Sequence, residues 1–172
     1  MGRSAAVGAG VAWLVLLAGC GGGGAGGDLC PPGVAQHLLD EINRVRAADG
    51  ARPVSVDLRL VDAAGGHARE LARGEASGHV GRDGSSPGTR AWRAAYPWGR
   101  VGETVAAGFE AAREVVDGWM ASERHRAVLL DPRYRDVGVG TAGREGARVW
   151  VALFGRALEH PERPRRRCQP VG

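Results

Sequence analysis

The chain has 172 residues, 44% of them hydrophobic, which is room for one domain of ordinary size with a buried core. Its net charge of +4 rests on 23 basic side chains, every one an arginine, and most alternate with Asp and Glu in stretches such as "DEINRVRAAD" and "HARELARGE". That is the pattern of a solvated helix face rather than a basic stripe, so no nucleic-acid partner is expected.

At the amino terminus, Arg3 precedes the apolar run "VAWLVLLAG", too short to cross a bilayer, and Leu17-Ala18-Gly19 leads into Cys20. This resembles a bacterial lipobox. The resemblance implies a lipoprotein signal peptide over residues 1–19 and a Cys20 that becomes the acylated new amino terminus, with palmitate as a typical chain. A membrane lipid on Cys20 would anchor the protein, extracytoplasmically, to the bacterial cell membrane. The alternative is an ordinary secretory signal cut near Ala18 or Gly19. Residues 20–33, with "GGGGAGGD", read as a flexible tether.

Three cysteines are an odd count for an exported chain, but lipid on Cys20 leaves Cys30 and Cys168 as an even pair. A Cys30–Cys168 disulfide is therefore expected. Chain-entropy models give such a long loop about 4 to 5 kcal/mol. The bridge would bring the basic tail, residues 157–172, close to the anchor. Arg163, Arg165, Arg166 and Arg167 would then lie where anionic headgroups attract them; the other reading is a solvated tail.

The domain itself is expected over residues 34–156. Val34, Leu38, Ile42 and Val45 have helical spacing, closed by Asp49-Gly50. Pro53 and Val54 are extended, and Asp57 is placed to cap a second helix with Leu60, Val61, Ala64, Ala68 and Leu71 on one face, ending at Gly74. Gly65-Gly66 weakens its middle. "SGHVGRDGSSPG", Ser77 to Gly88, is dense in turn formers and reads as a loop carrying His79. A short helix from Arg90 to Ala95 is expected to pack Trp92. Glu103 follows Gly102 and would open a helix, where its carboxylate favours the N-terminal dipole.

A fourth helix presents Ala112, Val115, Val116 and Trp119 on one face, and Ser122 is placed to cap a short turn holding His125. "RDVGVGTA" and "ARVWVALFG" read as a hairpin closed by Gly143 to Gly146. Trp119 and Trp150 are expected in the core. His37 and His67 lie among charged neighbours and read as surface residues, and His160 falls in the tail. Helices followed by a terminal hairpin define an α+β layer structure.

"LLDEINRVRAADGARPVSVDLRLVDAAGGHARELA", "SGH", "DGSSP", "GETVAAG", "VVDGWMASERHRAVLLDPRYRDVGVG" and "VWVALFG", in that order, resemble the CAP superfamily. This group comprises cysteine-rich secretory proteins, antigen 5, pathogenesis-related proteins and bacterial single-domain SCP-like proteins. The resemblance covers roughly Val34 to Gly155. It implies a three-layer α-β-α sandwich with a cleft lined by two histidines and one or two acidic residues. Carried over residue by residue, these are His79, Glu103 and His125. Thr104 stands where bacterial relatives usually carry Asn after Gly-Glu. Ser122 stands where eukaryotic members often supply a second glutamate, and Glu123 is offset from it by about 100° on a helix.

Three functional classes follow. The first is a binding module for a small apolar ligand, a lipid or an envelope polymer. The second is a hydrolase in which His79, Glu103 and His125 act as a catalytic set, with or without zinc held by the same three residues. The third is a structural or interaction protein of the cell envelope. No nucleophile motif accompanies the histidines, and Ser77, Ser85 and Ser86 read as loop serines. A monomer is expected.

Overall fold

The computed structural model describes residues 33–158. The expectations for the signal peptide, Cys20, the Cys30–Cys168 bridge and Arg163, Arg165, Arg166 and Arg167 fall outside the described residues. In chain order the elements are α1 (Val34–Ala48), β1 (Ser55–Val56), α2 (Leu58–Ala72), α3 (Pro87–Arg93), β2 (Trp98–Ala107), α4 (Ala112–Ala121), α5 (Glu123–Leu130), β3 (Asp136–Ala142) and β4 (Val149–Ala157). The sheet runs β1-β3-β4-β2, with β1 parallel to β3 and the other pairs antiparallel.

Strand periodicity sorts the helices into two layers. On β4, Trp150, Ala152 and Phe154 join a core with α1, α4 and α5, while Val149, Val151 and Leu153 face α2 and α3. β3 does the same with an asymmetry: Val137 and Val139 fill the first core, and the residues pointing at α2 are Gly138 and Gly140. A Cβ on Gly138 would lie 1.9 Å from the Leu60 carbonyl carbon, and one on Gly140 2.5 Å from the Gly65 nitrogen. Helix α2 therefore rides directly on the backbone of β3. Gly65, read as a weak point of the helix, lies at that contact, and α2 runs unbroken through it.

Several local expectations hold for the reasons given. Gly50 takes the positive φ that ends α1, and the Asp57 side chain accepts the Arg59 N–H at 3.0 Å to cap α2. The β3–β4 hairpin forms, and Trp119 and Trp150 are buried. Other expectations change. The loop ends at Ser86, whose hydroxyl caps α3 at the Thr89 N–H with Pro87 in the first turn, so the short helix starts and stops earlier than Arg90–Ala95. Ala91 is the apolar side chain this helix buries, and Trp92 is 67% exposed.

Glu103 opens no helix; it lies mid-strand in β2 and points inward. The turn of His125 is an eight-residue helix, α5, and Ser122 precedes it without a side-chain capping bond. His67 is fully buried rather than on the surface. Arg46 also leaves the solvated set. It is buried, its Nη1 donates to the Leu129 and Asp131 carbonyls and its Nε to Arg52 O at 2.9 Å, stapling α1 to the end of α5.

β2 is the long edge strand of the sheet. A bulge interrupts its pairing between Trp98 and Arg100. Farther along, the Trp119 indole donates to Val105 O at 3.1 Å.

Candidate functional site

Val101, Glu103 and Val105 alternate on the β2 face that meets α2 and α3. This alternation puts a carboxylate among apolar neighbours, with only 1% of the Glu103 side chain exposed. It is not left unpaired. Arg90, on α3, donates from Nη2 to Oε1 at 3.0 Å and to Oε2 at 2.8 Å, and from Nη1 to Ser85 O at 2.8 Å and His79 O at 3.2 Å. One guanidinium therefore neutralises the carboxylate and fixes the loop that precedes its own helix.

His79 comes from that loop. Its Nδ1 lies 3.0 Å from Glu103 Oε1; since a carboxylate only accepts, this nitrogen carries the proton and Nε2 is left to the half-exposed side of the ring. His67, on α2, donates from Nε2 to Gly78 O at 2.9 Å and lies 3.8 Å from Glu103 Oε1. The carbonyls of Gly78 and His79 are thus held by His67 and Arg90. Loop position is set from beneath.

His125 enters from the other layer, on α5, and no hydrogen bond to its ring occurs among the described residues. Leu129 is the buried anchor of its helix, with Val128 and Leu130 partly covered, so the apolar run docks the segment as expected. Arg124 and Arg126 are exposed. The imidazoles of His79 and His125 are electrically distinct. The hydrogen bond to Glu103 raises the His79 pKa above 6.5, against burial and the Arg90 charge. Burial, and then the nearby His79, lower that of His125 below 6.5.

Folding consequently favours protonated His79 and neutral His125. The His79 contribution to stability is present below its unfolded value and lost as pH rises through its folded pKa. The His125 contribution is present above its unfolded value and lost as pH falls through its folded pKa. In an NMR titration the His79 midpoint is expected above 6.5 and the His125 midpoint below it, and Glu103→Gln should move the first down and leave the second nearly in place. Coincident midpoints in the unaltered protein would contradict this geometry.

The donor set bears on zinc as follows. Arg90 engages both oxygens of Glu103, and among the described residues no three His, Cys, Asp or Glu side chains converge as a metal-binding group. What remains is two imidazoles, with Glu103 as the outer carboxylate that orients His79. That fits zinc as half of a tetrahedral shell only. Among the described residues the loop serines are not set as nucleophiles either. Ser85 takes part in a turn with Asp83, Ser86 caps α3, and Ser77 bridges to Val80; none hydrogen-bonds to either imidazole.

The sequence reading missed Arg90 and His67. His67 had a signal, since it lies seven residues after Leu60 and three after Ala64, on the buried face of α2. Its charged neighbours Arg69 and Glu70 concealed that. Arg90 sits in "PGTRAWR", which resembles any exposed turn, and only the tertiary pairing with a strand residue sets it apart.

A mixed sheet between two helical layers, with His79 hydrogen-bonded to Glu103 of the edge strand, makes a CAP-type α-β-α sandwich. The model of the cysteine-rich secretory protein family, CAP, matches residues 39–154, and the chain belongs to this family. YkwD of Bacillus subtilis (strain 168) is 28% identical over 119 residues, 69% of this chain and 46% of that protein. The chain thus spans less than half the length of that relative. Among solved structures, an outer surface protein of Borrelia burgdorferi matches with a TM-score of 0.66 at 22% identity, covering 72% of this chain and 92% of that one. An extracellular SCP-domain protein of Bacillus anthracis matches with a TM-score of 0.65 at 24% identity, covering 71% and 40%. At these identities the likeness shows the fold.

Proposed function

We propose that this CAP-domain protein is an extracytoplasmic, membrane-anchored binding protein that holds the polar end of a small apolar ligand, a lipid or an envelope component between His79 and His125. One observation carries the reading: both oxygens of Glu103 are engaged by Arg90 and His79, so the buried carboxylate is committed to holding a loop. The groups left to meet a ligand are two imidazoles of opposite bias, one inclined to donate and one to accept. The outer-surface and extracellular names of the two structural relatives support the location. The resemblance of the sequence before Cys20 to a lipobox supports the anchor.

The test uses dodecyl phosphate as probe. Saturable binding is expected, weakened about tenfold by His79→Ala, the loss of one charge-assisted hydrogen bond. Turnover of a fluorogenic ester or peptide that vanishes in His79→Ala would replace this reading with a hydrolase. The free Nε2 of His79 favours a second reading, a two-histidine metal site. Calorimetry on the unlipidated protein is expected to give zinc binding weaker than about 1 μM, because half a tetrahedral shell is missing. Tighter binding that disappears in the His79→Ala/His125→Ala double variant would establish the metal instead.

A further inference from the structure

One face of the domain exposes more apolar surface than its function in the cleft uses. Trp92 is 67% exposed, Trp98 38% and Leu158 61%. They are neighbours. Trp92 and Trp98 line one open groove of about 590 Å³ with Pro87, Val101 and Gly102, and none of its lining residues is charged. Leu158 lies against Gly99, where a Cβ would meet its Cδ2 at 3.0 Å. Trp98 is fixed in place: its indole donates to Gly88 O at 2.9 Å, and a Cβ on Gly88 would come within 2.9 Å of the ring. A solvent-facing indole held this firmly is a preformed apolar surface.

A basic shelf adjoins it. Arg100, Arg133 and Arg156 line a second groove with Gly99, Ala157 and Leu158. Asp131 pairs with Arg133 at 2.8 Å and approaches Arg100 at 3.8 Å, and the side chains of both arginines stay roughly half exposed. The chain leaves the described domain at this same place. From Leu158, fourteen further residues follow, and Arg163, Arg165, Arg166 and Arg167 begin five positions on. Indoles, an exposed leucine and an arginine shelf therefore share one edge of the molecule.

We propose that this edge docks on a bilayer carrying anionic headgroups. Indoles partition to the headgroup boundary, where the apolar ring and the polar N–H are both accommodated. Arginines beside them meet lipid phosphates. Charge complementarity selects the occupant: an uncharged aromatic floor bordered by cations matches acyl chain beneath and phosphate above. The tether does not choose the face, since the stretch from Cys20 to Gly33 reaches up to about 45 Å when extended. The patch does, and it does so whatever the cleft binds.

The test uses the chain from residue 20 onward with Cys20→Ser, which contains every described residue and carries no lipid. Partition onto vesicles of phosphatidylcholine with about 30% phosphatidylglycerol is compared with pure phosphatidylcholine. Binding is expected on the anionic vesicles, about tenfold weaker in Trp92→Ser. Trp92 makes no side-chain hydrogen bond among the described residues, so this variant keeps the fold; an unchanged melting temperature verifies it. Lipids with a quencher in the upper acyl chain should quench the tryptophan fluorescence, and since Trp119 and Trp150 are buried the signal reports Trp92 and Trp98. Equal partition of Trp92→Ser and the unaltered protein, absent quenching, or a loss produced only by removing the tail arginines would overturn the proposal. So would saturable quenching by chitotetraose at millimolar concentration without vesicle binding, which would mark the tryptophans as a glycan platform. None of these outcomes alters the dodecyl phosphate result at His79, so the two readings fail separately.

Discussion

Replacing Glu103 by alanine is expected to lower the free energy of unfolding by about 3 to 5 kcal/mol, because the guanidinium of Arg90 would remain buried without its counter-charge. The effect should be nearly as large for Arg90→Ala, which strands the carboxylate. The double variant should be less damaged than the sum of the two, since neither charge is then left alone. Denaturant unfolding of the three variants measures the coupling. Additive losses would show that the pair does not act as a unit, and would remove the argument that Glu103 is held for structure. The same experiment bears on function, because an inactive Glu103 variant with an intact melting curve would return this residue to the chemistry of the cleft.

Gly138→Ala is expected to be comparably severe, at about 3 kcal/mol or more. The added methyl would sit 1.9 Å from the Leu60 carbonyl carbon and 2.2 Å from the Val61 nitrogen, both backbone atoms of α2 that cannot rotate aside as a side chain would. Relief requires the helix to lift from β3, which would also draw His67 away from Gly78. Gly66→Ala supplies the contrast. It lies in the interior of the same helix with no atom within 4 Å of its new Cβ, so helix propensity predicts a gain of about 0.5 to 1 kcal/mol. Thermal melts of the two variants that moved in the same direction would refute this account of α2.

What the residues disclosed in advance depends on how local the cause was. Helices α1, α2 and α4 were legible because a 3.6-residue period sits within one short stretch, as with Leu60, Ala64 and Ala68 after the Asp57 cap. The hairpin was legible from Val149 to Phe154, where both faces of a central strand are apolar. β2 was not, because its inward face alternates Val101, Glu103 and Val105, and a charged residue at the middle position disguises a period of two. The carboxylate faces inward only because Arg90, distant in pattern, comes to meet it. His79, Glu103 and His125 were singled out through motif order in a family, and the structure brings Glu103 against His79 with His125 within electrostatic reach. The supports beneath them required knowing which helix lies over which strand. Trp92 shows the converse, a large aromatic side chain that packing leaves outside.

The indole of Trp119 on the Val105 carbonyl has a bearing on crowding. An edge strand offers a row of open main-chain groups, and copies of a protein gathered at high density on one surface can pair through such rows into sheets that run from molecule to molecule. β2 is long enough to do this, at ten residues. It is blunted twice: the bulge between Trp98 and Arg100 disturbs the regular spacing at one end, and the Trp119 side chain takes the acceptor that a neighbour's strand would need near the other. The run left between these two obstacles is short. The fold thereby leaves little of this edge in a state to add a strand from another copy of itself.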